Sequence, residues 1–323
     1  MKAMGQRTWK IGSPLELLDL PDPEPKPREV RVKVAAIGVN PVDWKMRQGG
    51  VLRIGYRLIG PPLPFVPGVD FAGTVDQVGA RVTELQIGDR VVGGTDFSRG
   101  QRGSYAELVT ARPDQLCKLP DAVGFEEAGA MPVAGVTAWM TLMEIGGLGT
   151  RHPAGASVLV LGAAGGVGQI VVQLARRAGA KVVAVCSGRN RAHVESLGAA
   201  VVLDYNEGDP LVAAQAHAPF AIIVDCVGSY AAAPCRRLLG PRGKHIMVAG
   251  DQVGAFLQTL VPPFSSKIML GRSTTPRLSA VAAAMAEGQL KISIAARYPL
   301  AEAEAAHEQS RSARTNGKII LLP

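Results

Sequence analysis

Val158-Leu159-Val160-Leu161-Gly162-Ala163-Ala164-Gly165-Gly166-Val167-Gly168 is the stretch on which the fold turns. Its four leading apolar residues predict a buried strand, and the glycines predict a tight turn after it. From Val167 to Ala178, Ile170, Val171, Leu174 and Ala178 fall on one stripe, which predicts a helix. A second strand follows at Lys181 to Cys186. Strand, glycine turn, helix and strand in this order predict a βαβ unit with a parallel sheet. A dinucleotide-binding turn needs glycine where the backbone approaches a pyrophosphate and where the helix packs on the strand. Gly165 and Gly168 fill those two places, and Ala163 stands where the first glycine usually sits. The turn therefore reads A-x-G-x-x-G, completed by Ala164, Gly166 and Val167. Backbone N–H groups at the helix start would face the phosphates, aided by the helix dipole.

The same unit speaks to the choice of nucleotide. An acidic residue about 20 positions beyond the glycines would bond the ribose 2′-OH of NAD. Counting 22 residues from Gly165 reaches Ser187, in Cys186-Ser187-Gly188-Arg189-Asn190-Arg191. A hydroxyl and two arginines without a carboxylate suit a 2′-phosphate. Arginines at a helix start oppose the helix dipole, and a bound anion would offset that cost. The expected cofactor is NADPH, with Arg189 preferred over Arg191 as the reader of the 2′-phosphate.

Outward from this unit, apolar strands recur at Val201 to Leu203, Ile222 to Val224 and His245 to Val248, with a helix at Asn190 to Leu197. Upstream the pattern changes. Pro21 to Pro27 is an extended, turn-prone lead-in, and Glu29 to Ile37 puts Val30, Val32 and Val34 on one face against Arg31 and Lys33 on the other. Short strands also fit Gly73 to Val78, Arg90 to Val92 and Ser104 to Thr110, which predicts a small β-rich barrel or sandwich. After Leu270, helices at Ser279 to Glu287 and Glu302 to Ser310 and a strand at Lys318 to Leu322 predict a tail that rejoins the first domain. The expected domains are residues 1–125, 126–271 and the return segment 272–323.

The 323-residue chain is long enough for two domains with cores of their own. With 47% hydrophobic and 19% charged residues, bulk disorder is excluded. Four scattered cysteines form no disulfide framework, and the first twenty residues hold no apolar signal core. A soluble, cytoplasmic protein is expected, without a membrane partner. The net charge of +8 admits a polyanionic partner. Its basic residues are dispersed, however, and aromatics make up only 5%, which argues against nucleic-acid binding as the main role. His152, His193, His217, His245 and His307 have no paired spacing, read as surface or loop histidines, and leave no tetrahedral ligand set for zinc.

Several segments together carry a resemblance over nearly the full length. They are Gly38-Val39-Asn40-Pro41-Val42-Asp43-Trp44-Lys45, Pro64 to Gly73, Gly88 to Val91, Gly103 to Glu107, Ala134 to Trp139 and Gly317 to Leu321. The chain resembles the zinc-independent quinone oxidoreductases of the medium-chain dehydrogenase/reductase superfamily. The resemblance implies an α/β protein with a GroES-like β-rich catalytic domain and a Rossmann-like doubly wound parallel sheet, assembled as a homo-oligomer, either dimer or tetramer. Zinc-dependent relatives carry Cys at the position of Asn40, His at that of Val69, and a four-Cys lobe that the stretch from Gly93 to Arg112 lacks.

Without a metal, the accessible chemistry is hydride delivery to an already electrophilic carbon, as in a quinone or an α,β-unsaturated carbonyl. By resemblance, the turn Asn40 to Lys45 lies near the nicotinamide. Asn40 and Lys45 are then candidate donors to the developing oxyanion, Asp43 either a participant or the brace of the turn, and Lys45 alternatively a rim lysine. Positional matches add Thr137 near the nicotinamide, Tyr205 beside the adenosine phosphate, and Val227 and Gly228 at the sheet edge. Asn190 replaces a phosphate-binding Lys of some relatives. A loop from Gly49 to Pro64, with Arg53, Tyr56 and Arg57, is a candidate lid. Two other readings stay open: an RNA-binding protein, and a non-catalytic NADPH-binding protein of the same fold.

Overall fold

The computed structural model describes residues 1–48, 63–248, 260, 265–268, 271–312 and 315–323. The candidate lid lies outside the described residues up to position 62. By its contacts the chain divides into two units, one of residues 1–133 with 272–323, the other of residues 134–271.

In the first unit, a seven-stranded sheet is ordered β14 (Ile294–Pro299), β15 (Lys318–Leu322), β3 (Val30–Val39), β4 (Asp70–Val78), β5 (Arg90–Gly94) and β7 (Leu116–Lys118), with β6 (Leu108–Ala111) also paired to β3. Strands β1 (Lys2–Gly5) and β2 (Glu16–Asp19) form a separate antiparallel pair. The alternation in β3 has the expected consequence: Val30, Val32 and Val34 are buried, while Lys33 is exposed and Arg31 intermediate. They pack with Phe71, Val91 and Tyr105 in one apolar cluster. The strand expected from Ser104 begins only at Leu108. Before it, the Ser104 and Tyr105 N–H groups bond the carbonyls of Gly68 and Pro67 and leave the β3 ladder. The last part of β3 pairs with the C-terminal strand, Ile319 opposite Val39 and Leu321 opposite Ile37.

Helix α1 (Pro41–Gln48) follows β3 directly, where the sequence reading gave a turn. Asn40 precedes it and Pro41 opens it, with φ already suited to a helix. The Asp43 carboxylate reaches back to accept the Asn40 N–H at 2.8 Å, one half of a capping box. Helix α2 (Phe125–Gly129) packs on β3 and β4, and α3 (Pro132–Trp139) carries the chain across the division between units.

In the second unit all six strands are parallel, ordered β10 (Val201–Asp204), β9 (Lys181–Cys186), β8 (Ser157–Leu161), β11 (Phe220–Asp225), β12 (Leu239–Met247) and β13 (Ser266–Ile268). Val158 to Leu161 and Val182 to Val185 are buried throughout, as strands covered on both faces must be. The connecting helices are α4 (Gly168–Arg177), α5 (Arg191–Ser196), α6 (Pro210–Ala214) and α7 (Ala232–Arg237). After them the chain returns to the first unit with α8 (Thr275–Ala286) and α9 (Ala303–Arg311). Among the described residues, no helix is long and apolar enough to cross a membrane.

Candidate functional site

In the second unit the candidate cofactor residues collect at the carboxyl ends of four adjacent parallel strands. From β8 the chain winds outward through β9 to β10, then returns to the other side of β8 as β11. Such a reversal of winding leaves a crevice outside the strand ends, where ligands bind in open α/β sheets. Gly162 leaves β8 with φ +79, a conformation costly for residues with a Cβ. A Cβ on Gly168 would overlap the Gly162 carbonyl, so this glycine permits the close approach of α4 to the strand. A Cβ on Gly165 would meet nothing nearer than the Gly162 carbonyl at 3.4 Å, so the protein itself leaves room above this residue. The Ala163 N–H is spent on the Val185 carbonyl at 2.9 Å. At the start of α4 the Gln169 N–H bonds the Gly165 carbonyl, and the Ile170 and Val171 N–H groups bond the Val167 carbonyl, each at 3.0 Å.

At the end of β9, Ser187 is buried and Asn190 donates to its hydroxyl at 3.3 Å. The two arginines differ. Arg191 donates to the Val202 carbonyl at 2.7 Å and lies 3.9 Å from Glu207, whereas Arg189 is exposed. Asp204, at the end of β10, accepts the N–H and amide of Asn206 at 2.9 and 2.8 Å, and this bonding, with the N–H of Gly188, holds its carboxyl below the ordinary range. Tyr205 and Val227 are each 49% exposed beyond β10 and β11. Asp225 accepts the N–H groups of Val227 and Gly228, both at 2.9 Å, and so shapes that edge. Thr137 is buried on α3.

In the first unit Asn40 and Asp43 fall into a buried polar network, with Lys45 on the same helix. Asn40 donates its amide to Asp70 at 2.9 Å and to the Gly38 carbonyl at 3.4 Å, and its Oδ1 accepts the Lys318 ammonium at 2.6 Å. Both amide hydrogens are thus used within the protein and the residue is 2% exposed. Lys318 also bonds the Val39 carbonyl at 3.3 Å and lies 3.9 Å from Asp70. Burial lowers its pKa, against the pull of Asp70 and Asp43. The other Asp70 oxygen accepts the Val133 N–H at 2.9 Å. Burial pushes Asp70 up to about 6, opposed by Lys318, Asn40 and Val133.

Asp43 is fully buried, with Oδ1 unpartnered, and Oδ2 accepts the Tyr105 hydroxyl at 3.3 Å beside the Asn40 N–H. Burial pushes its carboxyl up to about 8 against the Asn40 bond, and Asp70 adds to the rise. The network continues outward. Tyr105 meets His307 Nε2 at 2.9 Å, and Arg47 donates to His307 Nδ1 at 2.8 Å and to Glu304 at 2.7 Å. Burial, with Arg47 second, lowers the His307 pKa to about 3, so the ring is neutral. Nδ1 then accepts from Arg47, and Nε2–H donates to Tyr105. His307 on α9 and His245 on β12 are fully buried, which corrects their reading as surface or loop residues, while His152 is nearly buried within the loop before β8. Lys45 is half-buried on α1, its ammonium 5.7 Å from the centre of the Trp44 ring.

Asp70, Tyr105, His307 and Lys318 were not singled out by sequence reasoning as site residues. Asp70, Tyr105 and Lys318 lay inside the segments that carried the resemblance, which was the available signal. Around Asn40 and Asp70 the cation is the protein's own ammonium, so this donor set does not fit a zinc ion. Among the described residues no three His, Cys, Asp or Glu side chains converge as metal ligands.

The family described as the alcohol dehydrogenase GroES-like domain matches residues 26–121, and that described as zinc-binding dehydrogenase matches residues 197–321. The chloroplast envelope quinone oxidoreductase homolog of Arabidopsis thaliana is 35% identical over 96% of this chain and 94% of its own length. The solved quinone oxidoreductase of Coxiella burnetii superposes with a TM-score of 0.90 at 30% identity, covering 100% of this chain and 99% of that one. The Escherichia coli quinone oxidoreductase solved in complex with NADPH gives a TM-score of 0.81 at 26% identity, covering all of both chains.

Proposed function

This chain belongs to the quinone oxidoreductase family of the medium-chain dehydrogenase/reductase superfamily, and on that premise we propose that it is a zinc-independent, NADPH-dependent reductase of quinones or α,β-unsaturated carbonyls. The observation that carries the reading is the strand-end crevice of β8 to β11, with its glycine turn and the exposed Arg189 beside it. When bound, the cofactor supplies the hydride. The glycine turn, with Ala163 to Val167 and Gly168 at the start of α4, receives the pyrophosphate. Ser187 and Arg189 receive the 2′-phosphate. Arg191 is committed to Val202, and the Asp204 charge is taken up by Asn206 and Gly188. Tyr205, Val227 and Gly228 flank the adenosine side, and Thr137 serves the nicotinamide end.

Adding hydride to an enone or quinone places negative charge on oxygen, which a fixed cationic donor stabilises. Lys45 is that donor in this reading. Asn40 and Asp43 hold the start of the helix that carries it. The acceptor class is found by steady-state turnover with NADPH against quinones, alkenals and cyclic enones. Calorimetry should give NADPH at least about tenfold tighter binding than NADH, a difference of about 1.4 kcal/mol. Equal affinities would remove the 2′-phosphate assignment, and absence of turnover with every acceptor would remove the catalytic one. The homo-oligomer expectation is read by light scattering on the same material.

A further inference from the structure

Helix α1 has only eight residues, a length that does not hold its shape alone in water. Trp44 and Arg47 on the helix, and Asn40 before it, all reach one remote stretch of chain, although Arg47 also bonds the Ser13 carbonyl at 3.0 Å and Asn40 bonds Asp70. Asn40 bonds Lys318 at 2.6 Å, across 278 residues. The Trp44 Nε1–H donates to the Ser310 hydroxyl at 3.1 Å, across 266 residues. Arg47 bonds His307 at 2.8 Å and Glu304 at 2.7 Å, across 260 and 257 residues. Positions 40, 44 and 47 follow the spacing that puts side chains on one helical face. The contacts therefore run along the helix from before its first turn to its last. Asp43 is drawn into the same seam through Tyr105, whose hydroxyl lies 2.9 Å from His307. Lys45 sits next to this face, with its ammonium over the Trp44 ring at 5.7 Å.

We propose that the C-terminal segment clamps α1 along its length, and that Ser310 and His307 are positioning residues for Lys45, Ser310 by fixing the Trp44 ring under its ammonium and His307 by fixing the last turn through Arg47. This rests on the assignment of Lys45 made above. Ser310 bonds Trp44 and His307 bonds Arg47, both on the helix that carries Lys45, so a positioning role predicts that their effect on turnover depends on Lys45.

The test uses the full chain with Ser310→Ala and His307→Asn, each alone and combined with Lys45→Met. Hydrogen exchange across residues 41–48 should quicken by about tenfold or more in each single variant, because the helix loses a tie to the rest of the fold. The kcat for an enone should fall by roughly 3- to 100-fold, the range expected when a reacting group is displaced by up to an ångström, with the Kd for NADPH unchanged. On the Lys45→Met background the same substitutions should leave kcat where it already stands. Unchanged exchange in α1 with unchanged kcat overturns the clamp. An equal fall of kcat with and without Lys45 overturns the positioning of Lys45. Ser310→Ala removes one surface-side hydroxyl and keeps the test open if His307→Asn does not fold. If the parent enzyme turns over no acceptor at all, the functional reading fails, while the exchange rates still judge the clamp.

Discussion

Lys318→Met should destabilise the protein strongly at pH 8 and much less at pH 5. The ammonium is 4% exposed and stands 3.9 Å from an Asp70 carboxylate with no exposure. Two unit charges about 4 Å apart at an effective dielectric of about 20 attract by about 4 kcal/mol. Breaking a buried pair by removing one partner costs about 3–5 kcal/mol, because the other charge is left without compensation. Met keeps most of the side-chain stem, so the loss reports the charge. The pH dependence follows from Asp70. Burial already lifts its pKa from 3.8 to about 6, and without Lys318 it rises further. A carboxyl whose folded value is raised gives stability that is full below its ordinary value and is lost as pH rises through the folded one. Below about pH 5, Asp70 therefore takes a proton and the penalty shrinks. Urea unfolding followed by tryptophan fluorescence at the two pH values measures it. The expected loss is about 3–5 kcal/mol at pH 8, smaller by at least about 1 kcal/mol at pH 5, and partly restored when Asp70→Asn is added. A loss below about 1 kcal/mol at pH 8, or an equal loss at both, refutes the charge argument.

Arg189→Ala should weaken NADPH by about tenfold and leave NADH nearly unchanged, as one charge-assisted contact is lost; calorimetry with both cofactors decides it, and an equal loss for the two would move the role elsewhere. Lys45→Met should lower kcat on an enone by about 10²–10³ with KM less affected, and lower it less on a quinone, which accepts hydride more readily; an unchanged kcat on both makes Lys45 a rim residue. His307 is held neutral with a pKa near 3, so its contribution is present above its ordinary value of 6.5 and is lost as pH falls toward 3. His307→Gln should therefore flatten the fall in the urea midpoint between pH 6.5 and 4, and an unaltered acid slope would place the sensitivity in another group, with His245 the next to test.

What was legible in the sequence was what repeats locally. The alternation of Val30, Val32 and Val34 marked the inner face of β3, and the run Val158 to Leu161 with its glycines marked the parallel unit. Gly168 was identified by a requirement, close helix packing, that the structure repeats at that residue. Helix α1 was missed although Asn40, Pro41 and Asp43 carry its start signal, because the apolar stripe that usually identifies a helix is weak in Pro41 to Gln48. The polar network was hidden for a different reason. Its members come from β4, β15, α9 and the approach to β6, and no local pattern joins residues as far apart as Asn40 and Lys318. A histidine such as His307 looks the same in sequence whether it is solvated or sealed between Arg47 and Tyr105.

The pairing of β15 with β3 also sets an order on synthesis. Residues 134–271 are contiguous, so every strand of the parallel sheet has been made once β13 leaves the ribosome. The first sheet is made earlier but stays open. Its β3 lacks this neighbour along Ile37 to Val39 until Ile319 to Leu321 appear, after the whole of the second unit. Until Lys318 has been made, its ammonium is missing from between Asn40 and Asp70, and the nascent first unit holds an uncompensated carboxylate beside an unpaired strand edge. A chaperone that shields exposed edges would find its substrate there, and a stalled chain released before Lys318 would present the same surface.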